Sequence, residues 1–577
     1  MKKIFLSIII VSLSLVGCYD LDTYPGNKLG ENLFWKTENH AKQGLMGIYA
    51  MMKNNHAYGY QFLFDHLTDI AYGYDYYMMY LGTYDDRSGE IQNKWQTMYD
   101  GIQRTNSFIR SISSMDGITE DMKKEYIAEA KFLRALFYFT LLDLYGGVPY
   151  YDETTNLNAE YINLKKPRSS AEEIRAYIID DLNEAVSMLP VKHADVDYGR
   201  ATKGAAYALR GKVYLYNKEW KKAIADFEEI VNNKSNAYGY ALEPDYARIF
   251  KLYNGAKSNE MIFSIQNKSG VGTEYGMPMQ ALMGTRSAFG SCWNTTVPST
   301  QLADMYEFQD GRPFDWDEIF PGYHSATPEE RKKLFSVELD AAGAVIGLRN
   351  ADTTKILNAY KSRDPRLMAT LIVPYSIYKG CIGKTIPRDM LFALDYNRQG
   401  NENQGTIRNN KGWVSYLYRK FVVEYNLGGS ISDRLHTPFE FPLIRYADVL
   451  LMLAEAYNED NRLDESITEF NKVRARVNMP GLNSGPSWLN VANQEEMAER
   501  IRNERAVEFS GEGLRFSDLR RWGWEIAQAA ISDVDAVNIY GEFIYQHKFK
   551  QRDMLWPVPG VEIERNPALT PNNPGWE

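Results

Sequence analysis

Cysteine is scarce: three residues in a chain of 577 exclude a disulfide-built scaffold. Basic charge is not in excess, with 65 Lys and Arg against 75 Asp and Glu for a formal charge of −10, so nothing points to nucleic acid as a partner. After the N-terminal leader no run of about 18 apolar residues occurs, and no bilayer-spanning helix is expected there. The signatures of acyl transfer, nucleotide binding and thiol redox chemistry are also missing: no G-x-S-x-G, Walker A loop, G-x-G-x-x-G or C-x-x-C is present. The seven histidines, at 40, 56, 66, 193, 324, 436 and 547, contain no i,i+4 pair, so there is no local zinc signature. A glycosidase is not excluded in this way, because two carboxylates about 5–10 Å apart suffice for it and acids are plentiful.

Aromatic side chains are in surplus, 13% of residues with 41 Tyr and 11 Trp, more than a helical core requires. The chain opens with Lys2 and Lys3, an apolar run from Ile4 to Val16, then Gly17 and Cys18, a secretory-signal pattern over 1–17 that is too short to span a bilayer. Leu15-Val16-Gly17-Cys18 resembles the bacterial lipobox. It implies a lipidated Cys18 and a membrane anchor, several acyl chains holding where one would not. Residues 18–30, polar and containing Pro25, Gly26 and Gly30, read as a tether.

Apolar residues at three-to-four spacing predict helices from Thr37 to Met52, Lys94 to Ser113, Lys123 to Tyr145 and Ala171 to Leu189. Between Ala201 and Asn232, Tyr207, Gly211, Tyr214, Ala223 and Phe227 fall at tetratricopeptide spacing, with Trp220 at the turn. Leu450, Ala454, Tyr457, Ser466 and Phe470 repeat that frame. The two repeats lie far apart, so the expected fold is mainly α: a tetratricopeptide-like helical scaffold over 31–237 and 442–577 that holds one large, loop-rich insertion with short strands over 238–441. Turn signals crowd the insertion, among them Gly276-Met277-Pro278, Gly290, Asp310-Gly311, Gly343 and Gly428-Gly429. Loops on a rigid scaffold are where binding residues concentrate. Charge alternates in sign through Arg502, Glu504, Arg505, Glu508, Arg515, Asp518 and Arg520, which predicts an ion-pair lattice pinning the C-terminal helices.

An ordered series of motifs runs along the whole chain: Leu21-Asp22 with Pro25, Phe34-Trp35, Phe137-Tyr138-Phe139 through Gly146-Gly147-Val148-Pro149, and Asp364-Pro365-Arg366. Arg445-Tyr446-Ala447-Asp448, Ile501-Arg502-Asn503-Glu504-Arg505, Gly513-Leu514-Arg515-Phe516 through Arg521-Trp522, Leu555-Trp556-Pro557 and Asn573-Pro574-Gly575-Trp576 follow. With these and the lipobox the chain resembles the SusD-like (RagB/SusD) lipoproteins of Bacteroidetes. Two departures are mild: Ser517 where the family often has an aromatic, and Pro571 where it often has Gln. The resemblance implies a single SusD-like domain over 31–577, anchored by lipid at the cell surface of the outer membrane and without enzymatic activity. It would bind a glycan and deliver it to a SusC-like TonB-dependent transporter. Some relatives serve oligopeptide uptake, so a peptide ligand is the alternative within the family, and a lipid-anchored glycoside hydrolase is a third reading.

No binding residue is carried over from the family; the candidates follow from sugar chemistry. A sugar ring stacks its C–H faces on aromatic rings and requires hydrogen-bond partners for its hydroxyls. Tyr72, Tyr74, Tyr76, Tyr77, Tyr80 and Tyr84 crowd into thirteen residues with glycines and Asp75. Alternation of Tyr72, Tyr74 and Tyr76 suits a strand, but Tyr77 breaks the phase. Tyr72, Tyr74, Tyr76, Tyr77 and Tyr80 are therefore candidate contacts, joined by Asp65 and Asp69 as hydroxyl acceptors and by Arg87. The second candidate patch is Cys292-Trp293-Asn294, with Trp316 further along the insertion. Trp95, Trp220, Trp413, Trp522 and Trp556 stand in helical or motif contexts and are expected to pack. The acidic run from Asp310 to Glu318 has carboxylates for a structural Ca²⁺ but not the EF-hand spacing; it reads as a solvated turn, and no cofactor is expected.

Overall fold

The structure, a computed structural model, describes residues 34–155, 164–232, 237–268, 275–408 and 414–577. The expected signal (1–17) and tether (18–30), with Cys18, and Trp413 lie outside the described residues. Helix α1 (Glu38–Met51) begins where the Thr37 side chain accepts from the His40 amide, and it turns Ala41, Leu45 and Ile48 inward. Helices α2 (Gly89–Ser113) and α3 (Glu120–Tyr145) pack closely because Gly101 has no side chain: a Cβ there would lie 2.7 Å from the Phe137 ring. Both begin about a turn before the expected Lys94 and Lys123, and Ile91 in the first turn of α2 is already buried on the face that Trp95 and Met98 continue. Helix α3 stops at Gly146, whose φ of +72° lies in the left-handed region. Helix α4 (Ala171–Met188) opens on a capping box between Ser170 and Glu173.

The two repeats form as helix pairs. In α5 (Lys203–Tyr216) and α6 (Trp220–Val231), a Cβ on Gly211 would lie 2.5 Å from the Phe227 ring, so only glycine permits this approach. In α7 (Tyr446–Glu459) and α8 (Leu463–Arg476), the Ser466 hydroxyl donates to the Ala454 carbonyl at 2.7 Å. The pairs meet across the chain: Tyr457 donates to Glu228 at 2.5 Å, and Lys212 faces Asp448 at 3.5 Å. One helical scaffold is thus assembled from both ends of the sequence. No helix among the described residues is long and apolar enough to cross a membrane.

Among the described residues, strands occur as two-stranded antiparallel pairs. They include β1 (Ala71–Gly73), β2 (Met261–Ile265), β3 (Thr296–Pro298), β4 (Ile377–Ile382), β5 (Ile386–Leu391) and β6 (Phe441–Arg445). Strand β2 pairs with β6, Ile265 opposite Phe441, so the chain leaves the scaffold and returns to it side by side.

The C-terminal charges form a buried lattice whose hubs lie outside the alternating run. Arg445 bonds Glu508 at 3.0 Å, Glu512 at 2.8 Å and Glu260. Arg366 bonds Asp364 at 2.6 Å, Glu504 at 2.6 Å and Glu508 at 2.9 Å. Arg505 of helix α9 (Gln494–Phe509) joins Asp448 and Asp518, each at 2.8 Å, and so ties α7 to α10 (Arg515–Trp522). Burial pushes the Glu508 carboxyl up, but Arg476, Arg445 and Arg366 outweigh it and hold it well below the usual range. Arg502 contributes only its carbonyl, which accepts from Arg515 at 2.9 Å.

Candidate functional site

Pairing of β1 with β3 sets Tyr72 opposite Val297 and Gly73 opposite Thr296, and the Tyr74 amide then donates to the Thr295 carbonyl at 3.0 Å. The tyrosine-rich segment and the Trp293 loop thereby share one edge. Gly73 is necessary there, because a Cβ would come within 2.3 Å of both the Thr295 carbonyl and the His66 ring. Immediately after the strand Tyr76 adopts a φ of +58°, which ends the alternation and leaves Tyr74 and Tyr77 facing outward, 45% and 55% exposed.

Three further segments complete the face. Trp293 is half-buried, with the Arg434 guanidinium 5.1 Å from its ring centre. Arg434 is fixed by the Gly290 and Ser291 carbonyls at 3.0 and 2.5 Å. Two residues before His436, which packs against Gly276, and next to the bridge between Met277 and Thr437, the Arg434 loop adjoins Tyr275, 43% exposed. Lys53 donates to the Tyr275 carbonyl at 3.0 Å and leads into Tyr60, whose phenol is raised by burial and then by the Asp75 carboxylate beside Tyr74. Segments 53–60, 73–77, 275–277, 290–295 and 433–437 are thus linked in a circuit that carries exposed Tyr74, Tyr77 and Tyr275, half-buried Tyr60 and Trp293, and the charged Lys53, Asp75, Asp433 and Arg434. Such a surface suits a flat ligand with apolar ring faces and hydroxyl edges.

The polar groups of the circuit are perturbed. Burial raises the half-buried Asp75 carboxyl, whose Oδ2 has no protein partner, and lowers the Lys53 ammonium to about 8. Asn294 is fully buried with a φ of +53°, and neither atom of its amide is paired.

The remaining expected contacts lie inside the protein, where packing assigns them other work. Tyr72 bonds Ser415 through its hydroxyl, Tyr76 meets Phe64 edge-on at 5.7 Å, and Tyr80 stacks on Tyr545 at 4.5 Å while donating to the Gly73 carbonyl. Asp65 accepts from the Gly511 amide at 2.7 Å, and burial pushes its carboxyl up to about 7. Asp69 holds Arg515 through two contacts of 3.0 and 2.7 Å. Cys292 and Cys381 are free buried thiols, and burial pushes Cys292 up to about 12. Trp316, 3% exposed, centres a cluster of Phe314, Phe320, Tyr323 and Phe335 and donates to Asp304 at 3.2 Å. Turn-rich composition misleads here, because the insertion has an aromatic core of its own. Arg87 is exposed and pairs with Glu564 at 2.7 Å, outside the circuit.

In the acidic run Arg312 meets Asp310 and Glu318, both at 2.9 Å, and Asp315 and Asp317 gather with His324. Trp95 and Trp556 are buried, and Trp220 and Trp522 are half-buried against the core. Tyr60, Tyr275 and Arg434 are members of the face that sequence reasoning missed; the turn at Gly276-Met277-Pro278 was the available signal for Tyr275.

A family model described as "SusD family" matches residues 259–576, and a second, described as "Starch-binding associating with outer membrane", matches residues 21–215. A SusD-like protein of Formosa agariphila is 26% identical over 599 aligned positions, covering 100% of both chains. The starch-binding protein SusD of Bacteroides thetaiotaomicron is 23% identical, with 82% of this chain and 76% of that protein covered. A solved SusD-like carbohydrate-binding protein of Bacteroides fragilis superposes with a TM-score of 0.72 at 24% identity, over 93% of this chain and 99% of that one.

Proposed function

Because the chain belongs to the SusD family, we propose that it is a glycan-binding protein of the outer-membrane surface and not an enzyme. The observation that carries this reading is the circuit of outward-facing rings, Tyr74, Tyr77 and Tyr275 with Trp293, set around Arg434 and Asp75. Rings without a ring of convergent charges favour a neutral oligosaccharide: the rings take its apolar faces, and Asp75 and Arg434 serve the hydroxyl edges. Names of relatives that mention starch and carbohydrate support the same class. In this reading Cys18 carries the lipid anchor, and the bound glycan passes to a SusC-like TonB-dependent transporter.

Calorimetry of the purified protein against neutral oligosaccharides and short peptides tests the ligand class. Saturable binding of a glycan, weakened in both Tyr77→Ala and Trp293→Ala, is expected. Peptide binding with no glycan binding would replace the proposal with peptide capture, and turnover of a bound oligosaccharide would replace it with a hydrolase. Co-purification with a TonB-dependent transporter from mildly solubilised membranes tests the partner.

A further inference from the structure

A cleft of about 340 Å³, separate from the aromatic circuit, opens where α3, α4, α5 and α10 meet Met554 and Leu555. Its walls are apolar, with Phe139, Leu142, Val213 and Leu555, but its charged lining is Arg175, Arg520 and Arg521 against Asp143 alone. Most of this charge is already matched. Arg521 binds Glu455 and Asp518, and Asp143 accepts from Arg520 Nη2 at 2.7 Å and from the Ser517 hydroxyl at 2.6 Å.

Three donors remain over. Arg520 is 6% exposed, and although Nη1 serves the Asp143 and Met554 carbonyls, its Nε has no acceptor. A buried N–H without a partner is rare and costly, which makes this one informative. Arg175, half-buried on the second turn of α4, makes no ion pair or hydrogen bond among the described residues. Glu219, the carboxylate it influences through space, is engaged by Asn217 at 2.6 Å and Lys222 at 2.5 Å. The Tyr216 hydroxyl is likewise without a hydrogen bond, its ring set edge-on to Phe139 at 5.1 Å with Arg521 5.0 Å from its centre.

We propose that this cleft binds a single carboxylate carried on an apolar body, the chemistry shared by a small aliphatic acid and the C-terminal residue of a peptide. Arg175 and Arg520 Nε take the carboxylate, Tyr216 adds a hydroxyl donor, and the apolar walls cover the remainder. One unmatched guanidinium suits a monoanion. A multiply charged phosphate would meet apolar walls and the Asp143 carboxylate, with a far larger desolvation cost. The chain as a whole is acidic, so the selection is local to the cleft.

The test titrates hexanoate, N-acetyl-leucine and N-acetyl-leucinamide into the full chain, with affinity from calorimetry and location from the Met554 methyl resonance. Saturable binding of at least one acid is expected, with the amide weaker by about tenfold or more, as for a lost charge-assisted hydrogen bond. Arg175→Ala should weaken the bound acid by a similar factor without moving the melting temperature, and Tyr216→Phe should weaken it less. Hexanoate bound as well as N-acetyl-leucine identifies a free aliphatic acid as the source, and a preference for N-acetyl-leucine identifies a peptide C-terminus. Equal binding of acid and amide, unchanged affinity in Arg175→Ala, or no saturable binding of either acid overturns the proposal. None of these outcomes depends on the glycan reading.

Discussion

Tyr77→Ala should impair ligand binding and leave the fold intact, whereas Trp316→Ala should do the reverse. Tyr77 is 55% exposed, and no side-chain hydrogen bond holds it among the described residues. A tyrosine side chain presents about 200 Å². A sugar covering half of the exposed portion would take about 60 Å² out of water, worth about 1.5 kcal/mol and roughly tenfold in Kd. The melting temperature should hardly move, since exposed substitutions are usually within about 0.5 kcal/mol. Trp316 lies within a closed aromatic cluster, so its truncation leaves a cavity costing about 3–5 kcal/mol while the folded fraction binds normally. Calorimetry with the tightest oligosaccharide of the panel, paired with thermal melts of both variants, reads both quantities. Wild-type affinity in Tyr77→Ala together with lost affinity in folded Trp316→Ala would refute the outward-facing circuit and put the ligand in the insertion's core.

Arg445→Leu should destabilise the protein by about 3–5 kcal/mol or more in calorimetric melts, because Glu260, Glu508 and Glu512 would remain buried without their shared cation; a loss below 1 kcal/mol would show that the lattice rearranges freely. Asp65 gives a pH test. Burial raises its folded value from 3.8 to about 7, so the folded chain retains a proton that the unfolded chain releases, and stability falls as pH rises across that interval. Asp65→Asn still offers an oxygen to the Gly511 amide and removes that slope. It should therefore gain on wild type between pH 5 and pH 8, by about 2–3 kcal/mol, and a pH-independent difference between the two melts would contradict the assignment. Cys18→Ala should leave a folded protein that no longer fractionates with washed membranes in cells lacking the transporter, and its retention there would remove the lipid-anchor argument.

Local order was readable from the sequence because its causes are local. Threonine and serine before an acidic first turn set the starts of α1 and α4, and small residues at Gly211 and Ala454 marked where helices close on Phe227 and on Ser466. The sign alternation in α9 and α10 announced a lattice, and the ordered motifs announced the family. What no window of sequence contains is the partner across the chain. The lattice hubs Arg366, Arg445 and Glu260 come from distant segments, and Arg520 and Arg175 line one cleft only because α4 packs on α3, whose Asp143 holds Arg520.

Exposure was decided in the same way. Tyr72, Tyr74, Tyr76, Tyr77 and Tyr80 are chemically alike, and their composition alone made each an equal candidate. The pairing of β1 with β3 and the left-handed turn at Tyr76 bury three of them and turn two outward. Trp293 and Trp316 diverge for the same reason, one edging the surface beside Arg434 and the other enclosed by the aromatic core of its own loops. Periodicity and capping act within a few residues and are written in the sequence; which face of a ring meets water depends on surfaces contributed from hundreds of residues away, and only the assembled tertiary structure brings those surfaces together.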